Sequence, residues 1–215
     1  MTRRLVGVGI ATAVAVIAVI LYIVLFLTQA PAAVSAVTQN GTAHLTIETV
    51  PSYGHDPKPD WVTYMIKDAS GHWVHSTLWK LPANTVVDVT IYQYDSASGL
   101  RNPFLAQVRG TIGGTATLNG KAFSTLNAND ASHTFTVPDL GLSIPLAGIP
   151  DSATNTCSAT PCTSEAHTTT TFSFRTPGPG EYRWQCFVPC AAAFIFGNGG
   201  PMQSIGWMSG ELEVT

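Results

Sequence analysis

Tyr182-Arg183-Trp184-Gln185-Cys186-Phe187-Val188-Pro189-Cys190, continuing through Ala191-Ala192-Ala193-Phe194 to Gly199-Gly200-Pro201-Met202, is the stretch whose reading decides the fold. It places two thiols four residues apart on a loop between β-patterned segments, with a thioether downstream. Cys and Met are soft donors that select Cu(I) and related ions. The same spacing suits a short disulfide, so a metal site and a covalent staple both stay open for Cys186 and Cys190. About 50 residues upstream, Ser132-His133-Thr134-Phe135-Thr136-Val137-Pro138 can supply an imidazole.

Outward from this loop the chain repeats the period of two that a strand with one buried face requires. Strands are expected over His44–Val50, with Leu45, Ile47 and Thr49 on one face, and over Trp61–Lys67. Thr85–Tyr94 is the strongest, with Val86, Val87, Val89 and Ile91. Ala131–Pro138 carries His133, and His167–Arg175 turns Phe172 and Phe174 to one side. Glu181–Gln185 leads into the Cys loop, and Ser204–Met208 and Glu211–Val214 close the chain. Pro51–Asp60, with Gly54, Pro57 and Pro59, reads as a loop, and Asp95–Gly120 as a long polar excursion with one hairpin. Asp139–Pro150, broken by Gly141, Pro145, Gly148 and Pro150, reads as an extended crossing segment. Short strands separated by turn signals indicate an all-β sandwich or barrel.

Only 11% of the 215 residues are charged and the formal net charge is −3, so no basic footprint for nucleic acid exists. The run Leu5–Leu27 is 23 residues long and uncharged. As a helix it crosses a bilayer core of ~30 Å. Arg3 and Arg4 precede it with no comparable basic cluster after it, which puts the N-terminus in the cytoplasm. A cleaved signal is the rival, since Ala30-Pro31-Ala32 has the small-x-small form, although the apolar run exceeds the ~7–15 residues of a signal. The expected layout is a membrane anchor over 1–28 with its helix over 5–27, a linker over 29–42 and an exported domain over 43–215. The protein is thus expected in the cell membrane, single-pass, with its C-terminal domain extracytoplasmic. Disulfides persist there, and Cys157 and Cys162 in a Ser/Thr/Pro-rich loop read as one, although four cysteines allow three pairings.

At His133 and Cys186 the sequence resembles the exported copper domain of subunit II of haem-copper (cytochrome c) oxidases. The resemblance rests on His133-Thr134-Phe135-Thr136-Val137-Pro138, then Leu140-Gly141-Leu142, Ile149-Pro150-Asp151, Pro179-Gly180, Tyr182, Gln185, Cys186 and Cys190, and the ending Gly210-Glu211-Leu212-Glu213-Val214. It covers about residues 85 to 215 and implies a Greek-key cupredoxin-like β-sandwich or barrel after the N-terminal transmembrane helix. The family's dinuclear copper centre uses two bridging thiolates, two imidazoles, a thioether and a backbone carbonyl. His133 matches the first imidazole, Cys186 and Cys190 the thiolates, and Val188 the carbonyl donor. Phe194 stands where the second imidazole belongs, and Gly197 where the thioether does. Met202 takes that role if Phe196–Pro201 is an insertion. The family has two membrane helices before the domain; this chain shows one.

The metal ligands expected are therefore His133, Cys186, Cys190 and Met202, with copper as the cofactor. His167, whose strand leads toward the Cys loop, is the nearest substitute imidazole; the bland reading is a solvated side chain. His72 and His75 flank Trp73 and read as surface residues, and His55 as a loop residue. Trp184, Phe187, Phe194 and Phe196 read as core or as an apolar shield for a metal. No Gly-x-Ser-x-Gly elbow, His-Glu-x-x-His or phosphate loop is present, and the carboxylates are scattered. The chain reads as an electron-transfer or accessory subunit rather than a catalyst, partnered by the membrane and by respiratory oxidase subunits or a redox carrier. The alternative is a non-redox structural or assembly protein in which Cys186 and Cys190 form a disulfide.

Overall fold

The computed structural model describes residues 2–24, 32–54, 61–99, 102–150, 152–153, 166–189 and 200–215, without the side chains of residues 2–6. The chain divides into two units, Met1–Pro31 and Ala32–Thr215. In the first, helix α1 spans Thr2–Tyr22. Its described side chains are exposed, and Val8, Ile10, Val14, Ile17, Ile20 and Leu21 each show more than half of their surface. Among the described residues no helix is long and apolar enough to cross a membrane. The span expected over 5–27 begins among undescribed side chains and runs past Val24 into undescribed residues.

The second unit is built of strands. In chain order they are β1 (Val34–Ser35), β2 (Val37–Gln39), β3 (Thr42–Tyr53), β4 (Trp61–Lys67), β5 (Trp73–Val74), β6 (Leu78–Leu81) and β7 (Val86–Gln93). Then come β8 (Ala116–Leu118), β9 (Lys121–Phe123), β10 (Ala131–Val137), β11 (Leu142–Ala147), β12 (Thr168–Arg175), β13 (Gly180–Gln185) and β14 (Ser209–Val214). One sheet runs β1-β6-β14-β13-β10-β11, the other β5-β4-β3-β7-β12-β8-β9 with β2 beside β3. The alternation read from sequence gives each sheet its apolar face. Leu45 and Ile47 of β3, Val87, Val89 and Ile91 of β7, and Phe172 and Phe174 of β12 share one buried core with Trp79, Phe135, Ile144, Trp184 and Leu212 of the other sheet. The β8–β9 hairpin expected in the polar excursion turns on Asn119-Gly120, both at positive φ (49° and 81°), a type I′ signature.

Several local expectations change. Residues 34–39, read as linker, supply β1 and β2. Pro51 lies inside β3, where the pairing with β4 shifts register between Val50 and Tyr53. The crossing segment is in fact strand β11, entered from a 3-10 turn at Pro138–Leu140. Its Pro145 is tolerated because β11 is an edge strand, where a missing N–H breaks no ladder on the open side. Ser204–Met208 forms no strand; β14 begins at Ser209.

The aromatic centre of the core supports the next site directly. Trp79 and Trp184 stack with centroids 4.5 Å apart, and Tyr64 meets Trp184 edge-on at 4.9 Å. All three are fully buried, so their polar ends need partners. Trp79 Nε1 donates to Ser76 O at 2.8 Å, Trp184 Nε1 to Thr77 O at 3.2 Å, and Tyr64 Oη to Thr134 O at 3.0 Å. The last bond ties the core to the residue beside His133.

Candidate metal centre

His133 lies on β10, all of whose residues are buried, and is 3% exposed. Cys186 follows β13, which pairs with β14, and is fully buried. A Thr136–Gln185 pairing joins β10 and β13 and brings the two residues together. Cys186 Sγ lies 3.8 Å from His133 Nδ1. The loop after β13 is held in place by its own backbone. Cys186 N donates to Met208 O at 2.9 Å, Phe187 N donates to Thr134 Oγ1 at 2.9 Å, and Thr134 N donates to Cys186 Sγ at 3.4 Å. Val188 O lies 3.4 Å from the same sulfur.

The far ring nitrogen, Nε2, is 3.1 Å from Asp95 Oδ2. Burial works to push the His133 imidazole down, but the hydrogen bonds to Asp95 and Cys186 and the charges there lift it to about 9. Burial works to raise the Asp95 carboxyl, yet its bond to His133 holds it below the ordinary value. Sequence reading missed Asp95. It sits in a polar turn just past β7, in no motif, and only the fold carries that turn to β10.

Donor chemistry and spacing fit a soft metal ion. At metal–sulfur and metal–nitrogen bonds of ~2.3 and ~2.0 Å, tetrahedral to trigonal angles put the two donors ~3.5–3.7 Å apart, slightly closer than the 3.8 Å between Cys186 Sγ and His133 Nδ1. Val188 O, 3.4 Å from Cys186 Sγ, stands where the resemblance places a carbonyl donor. Met202, in a 3-10 turn at Pro201–Gln203, packs against the core cluster that contains Cys186. Cys190 and Phe194 lie outside the described residues, as do Cys157, Cys162 and His55. Among the described residues no group of three His, Cys, Asp or Glu is arranged to hold a metal ion.

Cys, His and Asp in series is also an order used for thiol nucleophiles. Here Sγ is wholly buried, and the neighbouring cavity of about 270 Å³ is lined by Trp61, Asp95, Ser132, His133 and Pro189 but not by Cys186. The other histidines are elsewhere. His167 is exposed and lies against Tyr92 and Tyr94, ring centroids 5.6 and 5.4 Å away. His75, read as a surface residue, is half-buried: it packs on Tyr53 at 4.1 Å and Trp207 at 5.0 Å, and its Nε2 meets Thr63 Oγ1 at 3.0 Å.

No family model matches the chain, and no curated protein does. Solved structures are similar at low identity. One is the metal-binding domain of the Cu(I)-exporting P-type ATPase CopA of Streptococcus pneumoniae with Cu(I), at 8% identity over 87% of this chain and 99% of that one, TM-score 0.39. Rusticyanin from Thiobacillus ferrooxidans is similar at 12% identity over 84% and 82%, TM-score 0.35. A chain of a heme-copper terminal oxidase dimer is similar at 15% identity over 99% and 98%, TM-score 0.35.

Proposed function

We propose that this chain is a membrane-anchored, extracytoplasmic copper-binding protein that carries electrons, resembling oxidase subunit II on a cupredoxin-like sandwich. The observation that carries the reading is the buried approach of Cys186 Sγ to His133 Nδ1 at 3.8 Å, between residues 53 positions apart in sequence. His133 and Cys186 would hold the ion with Val188 O within reach, and Cys190 and Met202 are the further ligands that the resemblance implies. Bound copper supplies one-electron chemistry. The chain's own part is to fix donors in a dry core, so that little rearranges when charge changes. A sandwich pinned by Trp79, Trp184 and Tyr64 beneath the site is suited to that. With one imidazole fewer than the family's centre, the set suits a single copper with fewer nitrogen ligands. Oxidase catalysis belongs to a partner subunit, and the exchange partners are respiratory oxidase subunits or a redox carrier. The anchor is α1: it carries no charge after Arg4 and its described side chains are exposed, which suits hydrocarbon, where every backbone bond must be internal.

Copper analysis of the full chain, purified in detergent without reductant and then copper-loaded, tests this. About one equivalent of copper and an intense thiolate-to-copper visible band are expected, both abolished by Cys186→Ser. A native chain in which mass spectrometry finds Cys186 bonded to Cys190, with no copper taken up, supports the non-redox structural protein instead.

A further inference from the structure

Two observations at Asp95 go beyond holding the fold. Its two carboxylate oxygens are used differently: Oδ1 accepts from Ser96 N at 2.7 Å, while Oδ2 faces His133 Nε2 at 3.1 Å. Its backbone is locked as well. Asp95 N donates to Gln93 Oε1 at 3.2 Å, and Asp95 O accepts from Gln93 Nε2 at 3.1 Å and from Ile149 N at 3.0 Å. Gln93 is itself fully buried and takes a hydrogen bond from Thr49 Oγ1. The carboxylate therefore points at the imidazole from a fixed platform rather than from a mobile surface side chain.

We propose that Asp95 is the positioning residue of the metal centre: Oδ2 takes the Nε2 hydrogen of His133, turns Nδ1 toward Cys186 Sγ, and sets the potential of the ion held there. The inference rests on the copper reading above. A 3.1 Å bond to a carboxylate is stronger than a 3.8 Å approach to sulfur, so the Asp95 side governs how the ring is turned. A ligand imidazole whose other N–H meets a carboxylate has its tautomer fixed and its basicity raised. The Asp95 side chain is 28% exposed and lines the cavity with Trp61, Ser98, Ser132 and Pro189. The negative charge thus lies on the solvent side of the ligand, where it favours the more oxidised ion.

Asp95→Ala and Asp95→Asn in the full chain test the proposal. In the metal-free protein, ¹⁵N-edited NMR is expected to show a slowly exchanging Nε2–H of His133 in the parent and in Asp95→Asn, absent in Asp95→Ala. In the copper-loaded protein, Asp95→Ala is expected to lose about 10–100-fold in copper affinity. Asp95→Asn, which keeps an acceptor but not the charge, restores the affinity yet raises the reduction potential. An Asp95→Ala protein with the Nε2–H signal, affinity and potential of the parent overturns the proposal. So does an Asp95→Asn protein of unchanged potential, a measurement that stands if Asp95→Ala fails to fold. If the parent chain takes up no copper, the functional reading fails, while the metal-free signal still decides whether Asp95 orients the ring.

Discussion

At the residue scale, Glu48 departs from the alternation of its strand. It lies on β3 opposite Met65 of β4 and Tyr92 of β7, away from the core face that Leu45 and Ile47 share, yet it is 1% exposed. Its Oε1 has no hydrogen-bond partner among the described residues. Burial pushes its carboxyl up to about 7, with Lys67 acting against that. A folded-state value above the unfolded one means that the fold holds the proton more tightly. The resulting stability is complete below about pH 4.5 and is lost as pH rises through about 7. Glu48→Gln should therefore gain on the order of 2–3 kcal/mol at pH 8 and little at pH 4 in urea denaturation. Equal effects at the two pH values would show that the carboxyl is not the titrating strain. On the opposite face, Phe135→Ala removes a fully buried ring against Trp79 and Trp184, centroids 6.0 and 5.6 Å away. The expected loss is about 3–5 kcal/mol, read as a lowered urea midpoint; a loss below 1 kcal/mol would mean that the core closes over the gap.

At the element scale, the strand-to-strand fit that positions the site depends on a close approach at Gly148. A Cβ there would lie 2.7 Å from Ala97 Cα and closer still to Ala97 N, both backbone atoms that no rotamer change can move aside. Gly148 N also donates to Asp130 O, next to β10, and Ile149 N donates to Asp95 O. Gly148→Ala must therefore push the Asp95–Ala97 turn away from His133. A fall of at least tenfold in copper affinity is expected with far-UV circular dichroism unchanged, and an affinity equal to the parent's would show that the turn has room. The elements themselves were legible where periodicity is strong: β3, β4, β7, β10 and β12 follow from alternating apolar residues. Residues 34–39 and 142–147 were not legible as strands, because short edge segments draw their stability from partners far along the chain rather than from their own pattern.

At the scale of the whole molecule, the two units make separable demands. The core, His133 and Cys186 all lie within residues 32–215. A fragment of those residues is expected to keep the near-UV signal of the buried Trp79 and Trp184, while the full chain sediments with membranes and the fragment does not. A fragment that still resists carbonate extraction would place membrane affinity outside α1.

The sequence by itself determined the all-β character and the apolar N-terminal helix, since composition and a period of two are local properties, while the pairing of the thiol loop with the histidine strand was what the resemblance to the oxidase subunit implied. The same resemblance named His133 and Cys186 as residues that belong together. Only the tertiary structure decided that their donor atoms meet at 3.8 Å in a buried place, and that Asp95 stands behind the imidazole. The approach of Asp95 to His133 depends on the hydrogen-bonded turn that follows β7 and on backbone packed against Gly148, and no stretch of sequence read alone carries contacts that arise only when distant segments are folded against each other.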